Sequence, residues 1–315
     1  MKAETEYKTL VDIARSTGGL KSVLGDQDAV YVVVHANKIL DSNVLPGVDI
    51  EADETEYGVK ARITVREGIV IPKPVHLCFG HLGETGRQEI NSSIIIEKGA
   101  RAEFLAHCIF PNAARFVHAM EGSIEVREGG SFTYREVHVH GPEGRIEVRP
   151  VSRVELKDRA SYRGEFDLVE GRVGDLDINV DVQAVGKQSN VELTSKIYGK
   201  YDDSCKVTDT IRLLGEGSSA LVKARVVLRD ESTGRFLGLV EGAASGARGH
   251  VDCTEIIQGN ASAEASPVVK ATHPDAEVTH EAAIGRIADD KIEGLMAKGL
   301  TEDEAVDAIV SGLLR

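Results

Sequence analysis

The sequence has no tryptophan, and phenylalanine and tyrosine bring aromatic residues to only 4 % of 315. A core built on large rings is excluded, so Val, Ile, Leu and Ala must do the packing. Cysteines number 4 and lie far apart, at Cys78, Cys108, Cys205 and Cys253. That scatter points to free thiols or ligands in a reducing compartment and away from a disulfide framework. No window approaches the roughly 18–20 apolar residues of a membrane-spanning helix. The N-terminal MKAETEYKTLVDIARSTGG carries no cleavage-type pattern, so the expected location is cytoplasmic. Basic residues are the scarcer sign, and the net charge of -14 argues against nucleic acid and anionic membranes as partners. No Gly-x-x-x-x-Gly-Lys-[Ser/Thr] loop occurs, because Gly186-Lys187 is followed by Gln188, and no Gly-x-Ser-x-Gly elbow is present. The chain should therefore neither hydrolyse ATP by itself nor act as an ordinary hydrolase.

Glycine, by contrast, is abundant at 32 residues, and its placement is periodic. From about residue 90, β-rich runs are joined at polar or glycine-containing turns. Examples are SIIIEKGARAEFLAHCIF, SIEVREGGSFTYREVHVH and IRLLGEGSSALVKARVVL. Turn centres fall near Gly99, Gly129, Asp158, Gly186, Gly215 and Gly246, a spacing of roughly 28 to 31 residues, with a further turn near Gly259. Each unit holds two strands and no helix, which leaves a β-helix, a propeller or a sandwich. Small residues after the turns (Ala100, Ser131, Ala160, Ser189, Ser218), alternating strands and the lack of Asn-Gly or Asp-Gly hairpin turns favour the β-helix. A stack must blunt its open ends. One short helix is expected over residues 5 to 16, ended by Gly18-Gly19, and two more at the C-terminus, natural caps for the stack or a surface for a partner. The first of the C-terminal pair opens at Ala288-Asp289-Asp290 and runs to Gly299. The second opens on a Thr301–Glu304 capping box, with Val306, Ile309 and Val310 on one stripe. The expected division is 1–85 for the N-terminal helix and strands, 86–285 for the β-helix core and 286–315 for the helical element.

Three groups of residues could carry chemistry. His76, Cys78 and His81 form a His-x-Cys-x-x-His cluster, and His138 and His140 share a strand face; either can be read as a zinc site or as ordinary buried polar groups. Cys108 sits at a strand end and can be read as a sulfur acceptor or as a small core thiol. Cys253 lies in the strand GHVDCTEII, with Val251, Cys253 and Glu255 facing one way. His280 and Glu281, being adjacent, face opposite sides of a later strand. Thiolate, imidazole and carboxylate suit iron or zinc. The opposed facing requires a bend or a second chain.

Residues 236 to 314 closely resemble the C-terminal core of the SufB/SufD family of iron–sulfur assembly scaffolds. The matching segments, in order, are FLGLVEGAASGARGHVDCTEIIQGNASAEASPVVKAT, AEVTHEAAIGRI and LMAKGLTEDEAVDAIVSGLL. The resemblance implies a right-handed parallel β-helix and a non-enzymatic scaffold on which a cluster, [4Fe-4S] or [2Fe-2S], is built for apo iron–sulfur proteins. It implies a SufC-type ABC ATPase docked on the C-terminal helices through Ile287, Ile292, Leu295, Met296, Leu300, Val306, Ile309 and Val310. The cysteine and the His-Glu pair of the SufB branch map to Cys253, His280 and Glu281, and Cys108 lies near the family's Gly-Cys-Thr region as a possible sulfur acceptor. The chain departs from the family at Thr279, where an acid is common, and at Leu237, where an arginine is common. It also lacks the Cys-x-x-Cys-type motif of bacterial SufB. The expected assembly is a homodimer, or a pair with a SufB/SufD paralogue. The alternatives are a SufD-like structural subunit without its own cluster and a zinc-dependent enzyme using His76, Cys78 and His81.

Overall fold

The computed structural model describes residues 2–17 and 24–314. Helix α1 (Lys2–Ser16) precedes two antiparallel hairpins, β1 (Tyr31–His35) with β2 (Lys38–Asn43) and β3 (Val48–Glu54) with β4 (Gly58–Val65). Gly18 and Gly19, the expected helix stop, lie outside the described residues. From β4 onward the strands alternate between two sheets. Sheet A receives β5 (Val75–Gly80), β7 (Arg101–Phe110), β9 (Ser131–His140), β11 (Ser161–Glu170), β13 (Asn190–Gly199), β15 (Ser219–Leu228), β17 (Arg248–Ile257) and β19 (Glu277–Gly285). Sheet B receives β6 (Thr85–Ile96), β8 (Arg115–Val126), β10 (Ile146–Leu156), β12 (Gly174–Ala184), β14 (Ser204–Leu213), β16 (Thr233–Gly242) and β18 (Ser262–Ala271). Helices α2 (Asp289–Met296) and α3 (Glu302–Leu313) end the chain. Every pairing beyond the hairpins is parallel, and the fold is a right-handed parallel β-helix of about eight coils. Parallel pairing begins at β4 and β1, so the hairpins continue the stack rather than standing apart from it.

The coil length follows from register. Asn190 lies beside Ser219, 29 residues on, and Ser219 lies beside Arg248. At one corner a column of residues takes the left-handed conformation: Gly68, Gly99, Gly129, Arg159, Gln188, Gly217 and Gly246, with φ between 54° and 70°. Each N–H in this column, from Gly68 through Gly217, donates to a carbonyl of the next coil, as Gly99 does to Glu128 and Gln188 to Glu216. The expected centres Asp158, Gly186 and Gly215 are thus displaced by one or two positions. Gly186 and Gly215 serve a different need. A Cβ on Gly215 would lie 1.9 Å from the Gly186 carbonyl oxygen, so the bare backbone lets successive coils close up. The residue after the column is small and buried at Ala100, Ala160, Ser189, Ser218 and Ala247. Gly130, not Ser131, fills that place in its coil.

Three apolar zones result. Between the sheets, alternate residues of every strand pack into one continuous core that includes Phe104, Phe132, Val191, Leu193, Val251 and Cys253. On the outer face of sheet A a second zone lies under α1, where Leu10, Val11 and Ala14 meet Val33, Leu105 and Ile109. A third lies under α2 and α3, where Ile292, Val306 and Val310 meet Tyr198 and Val227. The helices therefore cover the flank of sheet A at its two ends and do not cap the ends of the stack. This burial on both faces gives β5 six consecutive buried residues, a pattern that alternation cannot reveal. The outer face of sheet B carries inter-coil ion pairs such as Lys206–Asp177 and Lys270–Glu241. Hairpins close the stack at β2 and β3. At the other end β18 and β19 keep free edges, and Val268 and Ile284 are exposed.

Candidate functional site

The residues singled out near the C-terminus lie on the last two strands of sheet A. Register sets Val251 beside His280, Asp252 beside Glu281 and Cys253 beside Ala282. Paired positions share a face. Val251 and Cys253 are buried between the sheets, so His280 lies on the inner side of β19 and Glu281 on the outer side. Both are exposed because nothing follows β19 in the sheet. The Cys253 thiol is 1 % exposed and donates to the Glu281 carbonyl oxygen at 3.6 Å. Burial, then Glu255 and Asp252, push this thiol up to about 11. Two residues on, Glu255 is 2 % exposed with one carboxylate oxygen unpartnered among the described residues. Burial and the nearby Glu264 push its carboxyl up to about 7. On the outer face, Arg225 holds the Asp252 carboxyl below its ordinary range through a bidentate pair at 3.0 and 2.5 Å, and His250 Nδ1 lies 2.8 Å from Thr279 Oγ1. Within one chain, thiol and imidazole thus share the inner side at the open end. The Glu281 carboxylate lies across the strand from them.

A second set of donors converges deep in the interior. Cys108 on β7, with Glu136 and His138 on β9, brings ligand atoms within 4.8 Å of one another, all three residues buried. Register explains it, because Cys108 pairs with His138 across adjacent strands and Glu136 precedes His138 by two. Cys108 Sγ lies 3.9 Å from Met120 Sδ and has no solvent exposure. Sequence reading paired His138 with His140 and passed over Glu136. Its place two residues before His138 on the same strand face was the legible clue.

The His76, Cys78 and His81 set does not converge. His76 and Cys78 face outward from sheet A, and His76 Nε2 lies 2.7 Å from His107 Nδ1. His81 follows the strand end and stacks on Phe116, with centroids 4.6 Å apart. Burial drives the His76 imidazole down to about 3 and raises the Cys78 thiol to about 12, which keeps both neutral. The donor geometry for a zinc enzyme here is absent among the described residues.

The C-terminal helices are tied to sheet A by specific contacts. Tyr198 Oη donates to Asp307 at 2.7 Å and Arg229 pairs with Asp303 at 2.6 Å. The capping box at Thr301 and Glu304 is formed. Of the eight residues named for docking, Ile287, Ile292, Val306 and Val310 are buried and hold the helices against the sheet. Leu295, Leu300 and Ile309 are half-buried, and Met296 is 43 % exposed. No helix is long and apolar enough to cross a membrane among the described residues.

Comparison with known proteins agrees with this architecture. Residues 83–313 match the family described as SUF system FeS cluster assembly, SufBD core domain. The chain belongs to the SufBD family. It is 38 % identical over 311 residues, 98 % of this chain and 94 % of the relative, to an iron–sulfur cluster assembly SufBD family protein of Pyrococcus horikoshii. A similarly named protein of Methanocaldococcus jannaschii is 36 % identical over 314 residues, covering 100 % of this chain and 99 % of that one. The iron–sulfur cluster assembly protein SufB of Bacillus subtilis is 22 % identical over 263 residues, 80 % of this chain and 54 % of that protein. The SufBD family takes part in iron–sulfur cluster assembly, the activity class within which this chain falls.

Proposed function

We propose that this SufBD chain is a SufB-like scaffold that holds a nascent iron–sulfur cluster across a seam between two copies of itself. The observation that carries the reading is the open last coil. β18 and β19 present free parallel edges with exposed Val268 and Ile284, and β19 is the strand next to that of Cys253. Uncovered edges of this kind invite strand pairing. Glu277 N–H donates back to Ala247, so by alternation the N–H groups of Val278, His280 and Ala282 point to the free edge. A second chain there would bring its own His280 or Glu281 toward the first chain's Cys253. The cluster is cargo, and nitrogen or oxygen ligands leave it more labile than four thiolates would. A SufC-type ABC ATPase would dock on α2 and α3 through the side of the pair that includes Leu295, Met296, Leu300 and Ile309. Closure of two such ATPases on ATP would pull on residues 287–314 and open the seam, a shear of rigid elements. Apo iron–sulfur proteins would then receive the cluster.

Anaerobic reconstitution with iron and sulfide tests the site. Wild type should give visible charge-transfer absorption and matched iron and sulfide counts, and Cys253→Ala should lose most of both. Equal iron content and spectra in the two proteins would overturn the ligand assignment. Binding that appears only after a paralogue is added would favour a SufD-like structural subunit.

A further inference from the structure

We infer that the interior of the β-helix holds a second, mononuclear metal site, built by Cys108, Glu136 and His138 with His118 as the fourth donor, that takes a zinc or ferrous ion. The inference rests on geometry independent of the open end. Three unlike ligand atoms meet within 4.8 Å, and the three residues are between 0 and 5 % exposed.

The hydrogen bonds around His138 fix which nitrogen is available. His140 Nδ1 lies 2.9 Å from the Arg172 carbonyl oxygen, which can only accept, so this nitrogen carries a proton. In the neutral ring His140 Nε2 is then an acceptor, and His138 Nδ1, 3.1 Å away, must donate to it. His138 Nε2 is left with a lone pair aimed at Glu136 Oε1, 2.6 Å away. Two acceptors at that separation share a proton while the site is empty, and a metal ion would take the proton's place once the carboxylate draws back. A metal ion also engages the Cys108 thiolate on the adjacent strand, which a proton does not. The chain from His138 through His140 to the Arg172 carbonyl is the outer support that orients a ligating imidazole.

His118 supplies the remaining evidence. It is fully buried on β8, its ring centroid is 5.9 Å from that of His138, and neither of its nitrogens has a hydrogen-bond partner among the described residues. An imidazole with both nitrogens orphaned in an apolar core is costly. Coordination would satisfy one of them. Once the His118 ring turns toward the other three, one thiolate, two imidazoles and a carboxylate give four donors of the types that zinc and ferrous iron both accept. In this role Cys108 is a ligand rather than a sulfur acceptor.

The test uses the full chain in a Cys253→Ala background, which removes the thiolate of the open end. Protein purified aerobically and dialysed against chelator should retain about one metal ion per chain by elemental analysis. Cys108→Ser, Glu136→Gln and His138→Gln should each lower that content at least tenfold, with His118→Gln weakening it less. Cobalt(II) offered to the stripped protein should give thiolate-to-cobalt charge-transfer absorption that Cys108→Ser abolishes. If the aerobic protein is empty, ferrous ion offered anaerobically should bind at one per chain with the same dependence on Glu136 and His138. Should Cys108→Ser fail to fold by circular dichroism, Glu136→Gln and His138→Gln decide the matter. The inference is overturned if folded protein takes up none of the three ions, or if uptake is unchanged in the folded variants.

Discussion

Asp209→Asn should stabilise the protein at pH 8 by more than it does at pH 5. Asp209 points from β14 into the core, 2 % exposed, with one carboxylate oxygen unpartnered among the described residues. It lines a cavity of about 50 Å³ with Tyr162, Phe166, Leu193 and Ser195. Burial raises its carboxyl from 3.8 to about 7. The folded state therefore holds a proton that the unfolded chain releases, and stability falls as pH rises between those two values. At about 1.4 kcal/mol per unit, the cost nears 4 kcal/mol above pH 7 and is absent below pH 3.8. By pH 5 roughly 1.5 kcal/mol of it is already present. Asparagine keeps the shape and does not titrate. The variant's advantage over wild type should grow by about 2–3 kcal/mol between pH 5 and pH 8, read from urea denaturation at each pH. Glu255, also raised to about 7, and the buried imidazoles of His76 and His140, lowered to about 3, titrate in both proteins and cancel in the difference. An advantage that is the same at both pH values would refute the argument that Asp209 is a buried, proton-holding acid.

Ala282→Pro removes an N–H that points to the free edge of β19, so it should dissociate the proposed dimer in light scattering while barely moving the monomer's thermal midpoint. Loss of monomer fold instead would place that N–H inside the stack. Gly215→Ala drives a Cβ into the Gly186 carbonyl and should cost about 3 kcal/mol in denaturant, whereas Gly99→Ala has open space and only its φ of 66° to contend with. Equal costs at the two positions would contradict the close-approach argument. Tyr198→Phe deletes the donor to Asp307 and should destabilise by about 1 kcal/mol, with faster amide exchange confined to α2 and α3. Exchange that rises throughout sheet A would show that the helices are not a separable unit.

The coil length, the β-helix and the C-terminal capping box were legible because each is a local pattern repeated along the chain or closed within a few residues. Strand position and alternation likewise placed Cys253 beside Val251 and Glu255 on one face, and set His280 against Glu281. The facing of strands buried on both sides was not legible. β5 and the second half of β7 are buried at every position because helix α1 covers their outer face, and no periodicity survives that. The same gap hid the interior polar groups. Cys108 and Glu136 stand 28 positions apart and meet only because one coil advances the chain by about that length onto the neighbouring strand. The sequence by itself determined the repeat, because turns recur roughly every 28 to 31 residues with two strands and no helix between them. Tertiary structure decided where the helices rest, which end stays open and which donors converge. Those depend on contacts between residues a full coil or more apart, which no local pattern encodes.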